Sequence, residues 1–178
     1  MPEKKGNTSY FIKDEISVPV KGGEISNYTG VGVKYTEPNF GNIEGMAAFK
    51  ISESKTGGFG EIKYTTPKLV ENWSIESRTR VCGDYKSDDS LETSLTQRIA
   101  AKASWYIGNG LSIYEIAGVN SKISLQGDGI KSITPTSITG LGYKNMYCEF
   151  GLSKGYNLQT KQWSKITPEV YLGYKVTF

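Results

Sequence analysis

Apolar and polar residues alternate along most of this 178-residue chain with the period of two that is typical of β-strands, not the period of a helix. The clearest case is residues 170–178, where every second side chain is apolar or aromatic and those between are mostly polar or small. This pattern predicts a strand with one apolar and one polar face. Across the chain, the same alternation predicts strands at 8–20, 24–36, 42–52, 58–66, 73–85, 91–107, 111–125, 132–143, 146–155 and 168–178.

The connections between these segments alternate between short turns and longer, more polar loops. Asn109-Gly110 is a strong hairpin signal on the short side, whereas residues 157–166 form a long polar connection on the other. This order predicts an all-β, closed, up-and-down antiparallel barrel that spans a membrane. We expect a single domain over residues 1–178 with ten strands, or eight if the first two segments are not both strands.

Charged residues fall on one face of strand after strand, opposite the apolar face. In a membrane barrel the charged face lines the lumen, whereas a soluble barrel or sandwich has the same alternation with its charges outside. The apolar face contains several Gly, Ala and Thr residues, which favours lipid contact over a close-packed core. The predicted pore-lining residues are Glu76, Arg78, Arg80, Glu92, Arg98, Lys102, Lys50, Lys63 and Glu149, and the same face carries Lys34, Glu44, Glu61 and Lys175.

Aromatic residues of the apolar face lie at strand ends beside the short turns or the terminus. Folded up and down, they form a ring at one rim, as in the aromatic girdles of membrane barrels; aromatic plugs in a soluble barrel are the alternative. The predicted membrane-interface rim consists of Tyr35, Tyr64, Trp73, Trp105, Tyr143 and Phe178.

The parity of two acidic residues and of the two cysteines leads to further predictions about the strands. Asp14 and Glu115 have the parity of the apolar face, which predicts bulges or shifted strands near them. Cys82 has inward parity and Cys148 outward parity, so we expect no disulfide between them.

The terminal strand, which ends in Phe178, resembles the closing strand of bacterial outer-membrane β-barrel proteins, and we expect it to pair with residues 8–20. The resemblance implies a small porin-like barrel in the outer membrane, with the lipid bilayer as its partner. Residues 1–7 lack the apolar segment of a secretory signal, so the expected form is a mature chain.

Several kinds of chemistry are not supported by the composition. The chain contains no histidine, which argues against Ser–His or Cys–His catalysis and against imidazole zinc sites. A net charge of +3, with basic residues scattered singly, predicts no nucleic-acid partner. The acidic residues Asp84, Asp88, Asp89 and Glu92 fit a solvated turn better than a calcium loop. We therefore expect no enzyme, no cofactor and no metal.

Three functions remain open at this point. The first is a narrow outer-membrane porin or channel that passes ions or small polar solutes by passive diffusion, with selectivity set by lumen charges. The second is a non-conducting barrel with a structural or surface-interaction role. The third is a soluble all-β binding protein or virion structural subunit. The sequence does not predict the solute or the oligomeric state.

Overall fold

A computed structural model of the chain describes residues 6–86, 88, 90–127 and 129–178. The described residues are almost all strands and turns, and they include no helix that could cross a membrane. The twelve strands are β1 (Asn7–Pro19), β2 (Ser26–Glu37), β3 (Gly41–Ser52), β4 (Lys55–Thr65), β5 (Trp73–Lys86), β6 (Leu91–Gly108), β7 (Leu111–Ser124), β8 (Gly129–Tyr143), β9 (Met146–Ser153), β10 (Tyr156–Asn157), β11 (Gln162–Trp163) and β12 (Thr167–Thr177).

Ten of these strands close into a barrel. Each strand from β1 to β8 pairs antiparallel with the next, β9 pairs with β12, and β12 returns to β1. Closure removes the unpaired edges that a sheet would otherwise expose to lipid. The predicted ten-stranded, up-and-down antiparallel barrel is therefore confirmed, as is the pairing of the terminal strand with the first.

The turns explain how neighbouring strands keep their register. Between β6 and β7, Asn109 and Gly110 both have positive φ angles, 52° and 82°, which is the backbone of a tight hairpin turn. Lys144, with φ 53°, lies in the similarly short β8–β9 connection. These turns, with the start of β1 and the end of β12, form the short-turn rim. The opposite ends of the strands form the loop-side rim.

A small hairpin on the loop-side rim was missed by the sequence pattern. Residues 157–166 were predicted as a polar loop, but β10 and β11 pair within and beside this segment, and Tyr156 of β10 pairs with Ile133 of β8. The rings of Tyr156 and Trp163 lie 5.0 Å apart. Two-residue strands are too short to produce a recognisable alternation, which is why the pattern did not indicate them.

Burial is reversed relative to a soluble protein. Large apolar side chains on the outer face are well exposed, at 64% for Ile62, 68% for Ile99 and 60% for Val31. Charged side chains on the inner face are buried, with Glu76 only 3% and Arg98 only 6% exposed. An apolar exterior around a charged interior is the arrangement of a transmembrane barrel, because lipid then covers the exposed apolar surface.

The prediction of bulges at Asp14 and Glu115 is wrong. Both residues lie in regular ladders and face outward; the register shifts occur at Tyr106/Gly108 and Lys122/Ile123 instead. Each outward carboxylate accepts a hydrogen bond from a neighbouring strand, Asp14 from Thr29 Oγ1 at 2.6 Å and Glu115 from Thr139 Oγ1 at 3.1 Å. Because a threonine hydroxyl donates to each of these carboxylates, the strands keep regular pairing at Asp14 and Glu115 without a bulge.

The two cysteines lie as their parity predicts. Both are free thiols; Cys82 faces the interior beside Phe59 in the ladder, and Cys148 is exposed on the outer face.

Candidate functional site

The barrel encloses a cavity of about 820 Å³. Its lining reaches from Lys144 and Asn145 at the short-turn rim to Ser153 and Thr167 at the loop-side ends of β9 and β12. Inward residues of neighbouring strands form this lining because alternate side chains of every strand point to the same side of the sheet. The cavity is therefore the candidate site.

Strands β4 to β6 form the ion-pair wall of the cavity, defined here as Glu61, Glu76, Arg78, Arg80 and Arg98. Glu61 lies between two arginines, with its Oε2 2.6 Å from Nη2 of Arg80 and 3.8 Å from Nε of Arg78. Arg98 donates to Glu76, and both side chains are buried. Pairing offsets part of the cost of removing these charges from bulk water.

A second acidic centre lies toward the short-turn rim. The Glu44 carboxylate is 2.9 Å from Lys63 Nζ, 3.0 Å from Lys175 Nζ and 3.8 Å from Lys34 Nζ. These residues come from β2, β3, β4 and β12, so the contacts join strands on both sides of the β1–β2 hairpin. Lys175 also lies over the Phe11 ring, 3.8 Å from its centroid.

The facing part of the lumen, from β7 to β12, is different in chemistry. Here three inward tyrosines each donate to a carboxylate: Tyr114 to Glu149 at 2.6 Å, Tyr147 to Glu15, and Tyr171 to Glu169. We call Tyr114, Tyr147 and Tyr171 with these three glutamates the tyrosine wall.

Aromatic and basic side chains narrow the lumen near the loop side. The rings of Tyr28 and Phe59 meet edge to face with centroids 5.1 Å apart, and the Arg80 guanidinium lies 4.0 Å from the Phe59 centroid. Lys13 Nζ lies 5.1 Å from the Tyr28 centroid. Cation–π contacts of this kind hold cations in place inside the barrel.

Seven of the nine predicted pore-lining residues line the cavity, namely Lys63, Glu76, Arg78, Arg80, Arg98, Lys102 and Glu149. Lys50 and Glu92 have inward parity but lie outside the cavity lining, toward the loop-side rim. A role for any of the nine in conduction stays a prediction.

Sequence reasoning missed several lumen residues. Lys13 and Glu15 were overlooked because Asp14 between them obscured the inward parity of β1, yet Lys13 Nζ lies 3.1 Å from Glu15 Oε2. The inward tyrosines were missed because aromatic residues were sought only on the outer face. The available signal was that Tyr147 has the same parity as Glu149 on β9, and Tyr171 the same parity as Glu169 on β12.

All six predicted rim aromatics lie near the short-turn rim with outward parity. Tyr35, Trp73, Trp105, Tyr143 and Phe178 are exposed. Tyr64 is half-buried, and its hydroxyl donates to the Phe40 carbonyl at 2.7 Å. Their assignment to a membrane interface stays a prediction.

Loop-side carboxylates outside the membrane-spanning strands are held by serines. Hydrogen bonds from Ser54 and Ser52 hold the pKa of Glu24 below its usual value, and Ser90 does the same for Asp88. In the part of the chain that the structure describes, no group of three or more His, Cys, Asp or Glu residues is arranged to hold a metal ion.

Comparisons with solved structures return structures described as porins, at low sequence identity. A structure described as "KdgM porin in complex with disordered oligogalacturonate" covers 97% of this chain and 99% of its own, at 15% identity and a TM-score of 0.47. One described as "KdgM porin" covers 94% and 98%, at 14% identity and a TM-score of 0.46. No protein-family model matches the chain, and the search of curated proteins returns no match.

Proposed function

We propose that this chain is a small outer-membrane porin, a narrow channel through which ions and small polar solutes diffuse passively. The cavity and its charge carry the proposal: nine Lys and Arg side chains but only five carboxylates line it. A hydrated path lined by fixed charges lowers the cost of moving an ion through a membrane. An excess of fixed positive side chains in the lumen favours the passage of anions over that of cations.

The residues named for this role act together. Arg78, Arg80 and Arg98 lie on β5 and β6, and their positive charge is only partly offset by Glu61 and Glu76. The tyrosine wall presents carboxylates across the cavity. We propose that a permeating anion follows the arginines, and that the preference for anions is modest because both signs line the path.

Planar-bilayer recording tests this proposal. The folded chain is expected to give discrete current steps, and a KCl gradient is expected to give a reversal potential on the anion-selective side. The double substitution R78E/R80E should move that potential toward cation selectivity, because it changes four units of lumen charge. The control K161E/K165E makes the same change in an exposed loop and should shift it much less. Equal shifts in both variants would mean that the arginines do not line the conduit.

A non-conducting barrel is the second candidate, favoured by the contacts among Tyr28, Phe59 and Arg80 that occupy lumen space near the loop side. On that alternative a correctly inserted wild-type barrel gives no current steps, whereas Y28A/F59A conducts. On the channel proposal, both conduct and the variant conducts more.

A further inference from the structure

Glu92 lies at the loop-side mouth of the barrel, where lysines from four different strands surround its carboxylate. Its oxygens are 3.7 Å from Lys55 Nζ, 3.5 Å from Lys86 Nζ, 3.5 Å from Lys122 Nζ and 3.7 Å from Lys131 Nζ. The lysines belong to β4, β5, β7 and β8, on both sides of β6. We call Glu92, Lys55, Lys86 and Lys122 the mouth cluster.

The mouth cluster differs from the cluster around Glu44 in how closely its ions approach. Lys63 and Lys175 lie 2.9 and 3.0 Å from the Glu44 carboxylate, within ordinary hydrogen-bonding distance. None of the three lysines of the mouth cluster comes closer to the Glu92 carboxylate than 3.5 Å. One carboxylate shared among several ammonium groups at these distances leaves much of their hydrogen-bonding capacity for another acceptor.

Exposure and direction show which acceptor can reach the cluster. The side chains of Lys55, Lys86 and Lys122 are 35%, 41% and 42% exposed, whereas the three lysines around Glu44 are 25–31% exposed. Their inward parity places them inside the mouth and not against the surrounding lipid. Asp84, cross-strand from Glu92, adds a second carboxylate, so the lysines still outnumber these acids. The acceptor therefore comes from the aqueous phase.

We propose that the mouth cluster is a binding site for the carboxylate or phosphate groups of organic anions entering the channel from the loop side. The proposal deepens the proposed channel function, on which it rests. Several ammonium groups that converge on one point bind a polyvalent anion by charge-assisted hydrogen bonds. Glu92 occupies the centre of the cluster, so an entering anion competes with its carboxylate for the same lysines.

Citrate, a tricarboxylate, is a suitable probe, with binding measured by calorimetry on the full chain folded in detergent. Wild type should bind citrate saturably at low ionic strength. The variant K55Q/K86Q/K122Q should bind it at least about tenfold more weakly, because three charged donors are lost. The control K21Q/K161Q/K165Q removes the same charge from exposed loop residues on the same rim and should change affinity less than about twofold. Equal losses in the two variants, or no saturable binding by wild type, would overturn the proposal.

Glu92→Gln makes the test sharper because its expected effect on citrate affinity is opposite in sign to that of the lysine substitutions. Removing the competing carboxylate should tighten citrate binding, whereas a Glu92 that merely organises the lysines would give weaker binding in E92Q. Circular dichroism confirms that each variant retains its β-structure. Since calorimetry needs no conduction, a barrel that binds citrate but passes no current would contradict the channel function and leave the anion site standing.

Discussion

The two walls of the lumen bury charge in different ways. The ion-pair wall matches each carboxylate with arginine, as in the contacts of Glu61 with Arg80 and of Glu76 with Arg98. The tyrosine wall instead gives its carboxylates phenol donors, as in the bond from Tyr114 to Glu149. The difference shows that a narrow barrel interior needs a donor for every carboxylate, but that the donor need not be charged.

This difference also separates charge across the lumen. Three arginines and two carboxylates make up the ion-pair wall, which leaves that wall with an excess of positive charge. On the tyrosine wall a phenol donates to each carboxylate without cancelling its charge, although Glu15 also has an ammonium partner, Lys13. The ion-pair wall is therefore the more positive side and the tyrosine wall the more negative. Lys102 lies between them, with Nζ 4.8 Å from the Tyr114 ring centroid.

The largest expected effect comes from breaking the buried pair on the ion-pair wall. Glu76→Leu leaves Arg98 charged and buried without its carboxylate, so the free energy of unfolding should fall by about 3–5 kcal/mol. Urea titration of the barrel in lipid vesicles measures this change. The double variant E76L/R98M should recover most of the loss, and Glu53→Leu in an exposed loop should change little. If E76L/R98M is no more stable than E76L, the loss of stability comes from altered side-chain packing and not from an unpaired buried charge.

A smaller loss is expected on the tyrosine wall. Tyr147→Phe removes the phenol that donates to Glu15, while Lys13 Nζ remains 3.1 Å from the Glu15 carboxylate. Because one hydrogen bond to a charged group is lost, the free energy of unfolding should fall by about 1.5–3 kcal/mol. The same urea titration applies. Tyr143→Phe, on the outer face, is the matched control and should be nearly neutral. If Y147F lowers the free energy of unfolding as much as E76L does, a charged donor and a phenol donor stabilise their carboxylates equally, and the two walls do not differ in this respect.

The outer face offers a contrast with both walls. Asp14 points toward lipid, where a carboxylate is unfavourable, so Asp14→Val should raise stability by about 1 kcal/mol after the loss of the Thr29 hydrogen bond. Asp84→Val, an inward change of the same chemistry, should lower it. Destabilisation of D14V comparable to that of D84V would show that Asp14 does not contact lipid.

The smallest expected effect is electrical and has opposite signs on the two walls. Arg78→Gln removes positive charge and should lower the preference for anions, whereas Glu149→Gln removes negative charge and should raise it. Reversal potentials in a KCl gradient measure both. Shifts in the same direction would contradict the charge separation between the walls.

Much of the barrel was predictable because period-two alternation is a local property. All ten long strands were located within three residues at each end, and the pairing of 8–20 with the terminal strand followed from closure. The β10–β11 hairpin was not predictable, since two residues carry no period. The inward tyrosines had the right parity, but tyrosine is amphipathic, so its chemistry alone does not indicate which face it occupies.

The sequence by itself determined the strands, the segregation of charge to one face, and ten of the charged residues that line the cavity. These follow from alternation, which depends only on neighbours along the chain. Only the tertiary structure decided which face is inside, since a soluble barrel has the same alternation with its faces reversed. It also decided which ions pair: Glu44 contacts Lys175, 131 residues away, and Glu92 collects lysines from four strands. Such contacts depend on strand register and barrel closure, which bring distant residues together at distances that no local pattern specifies.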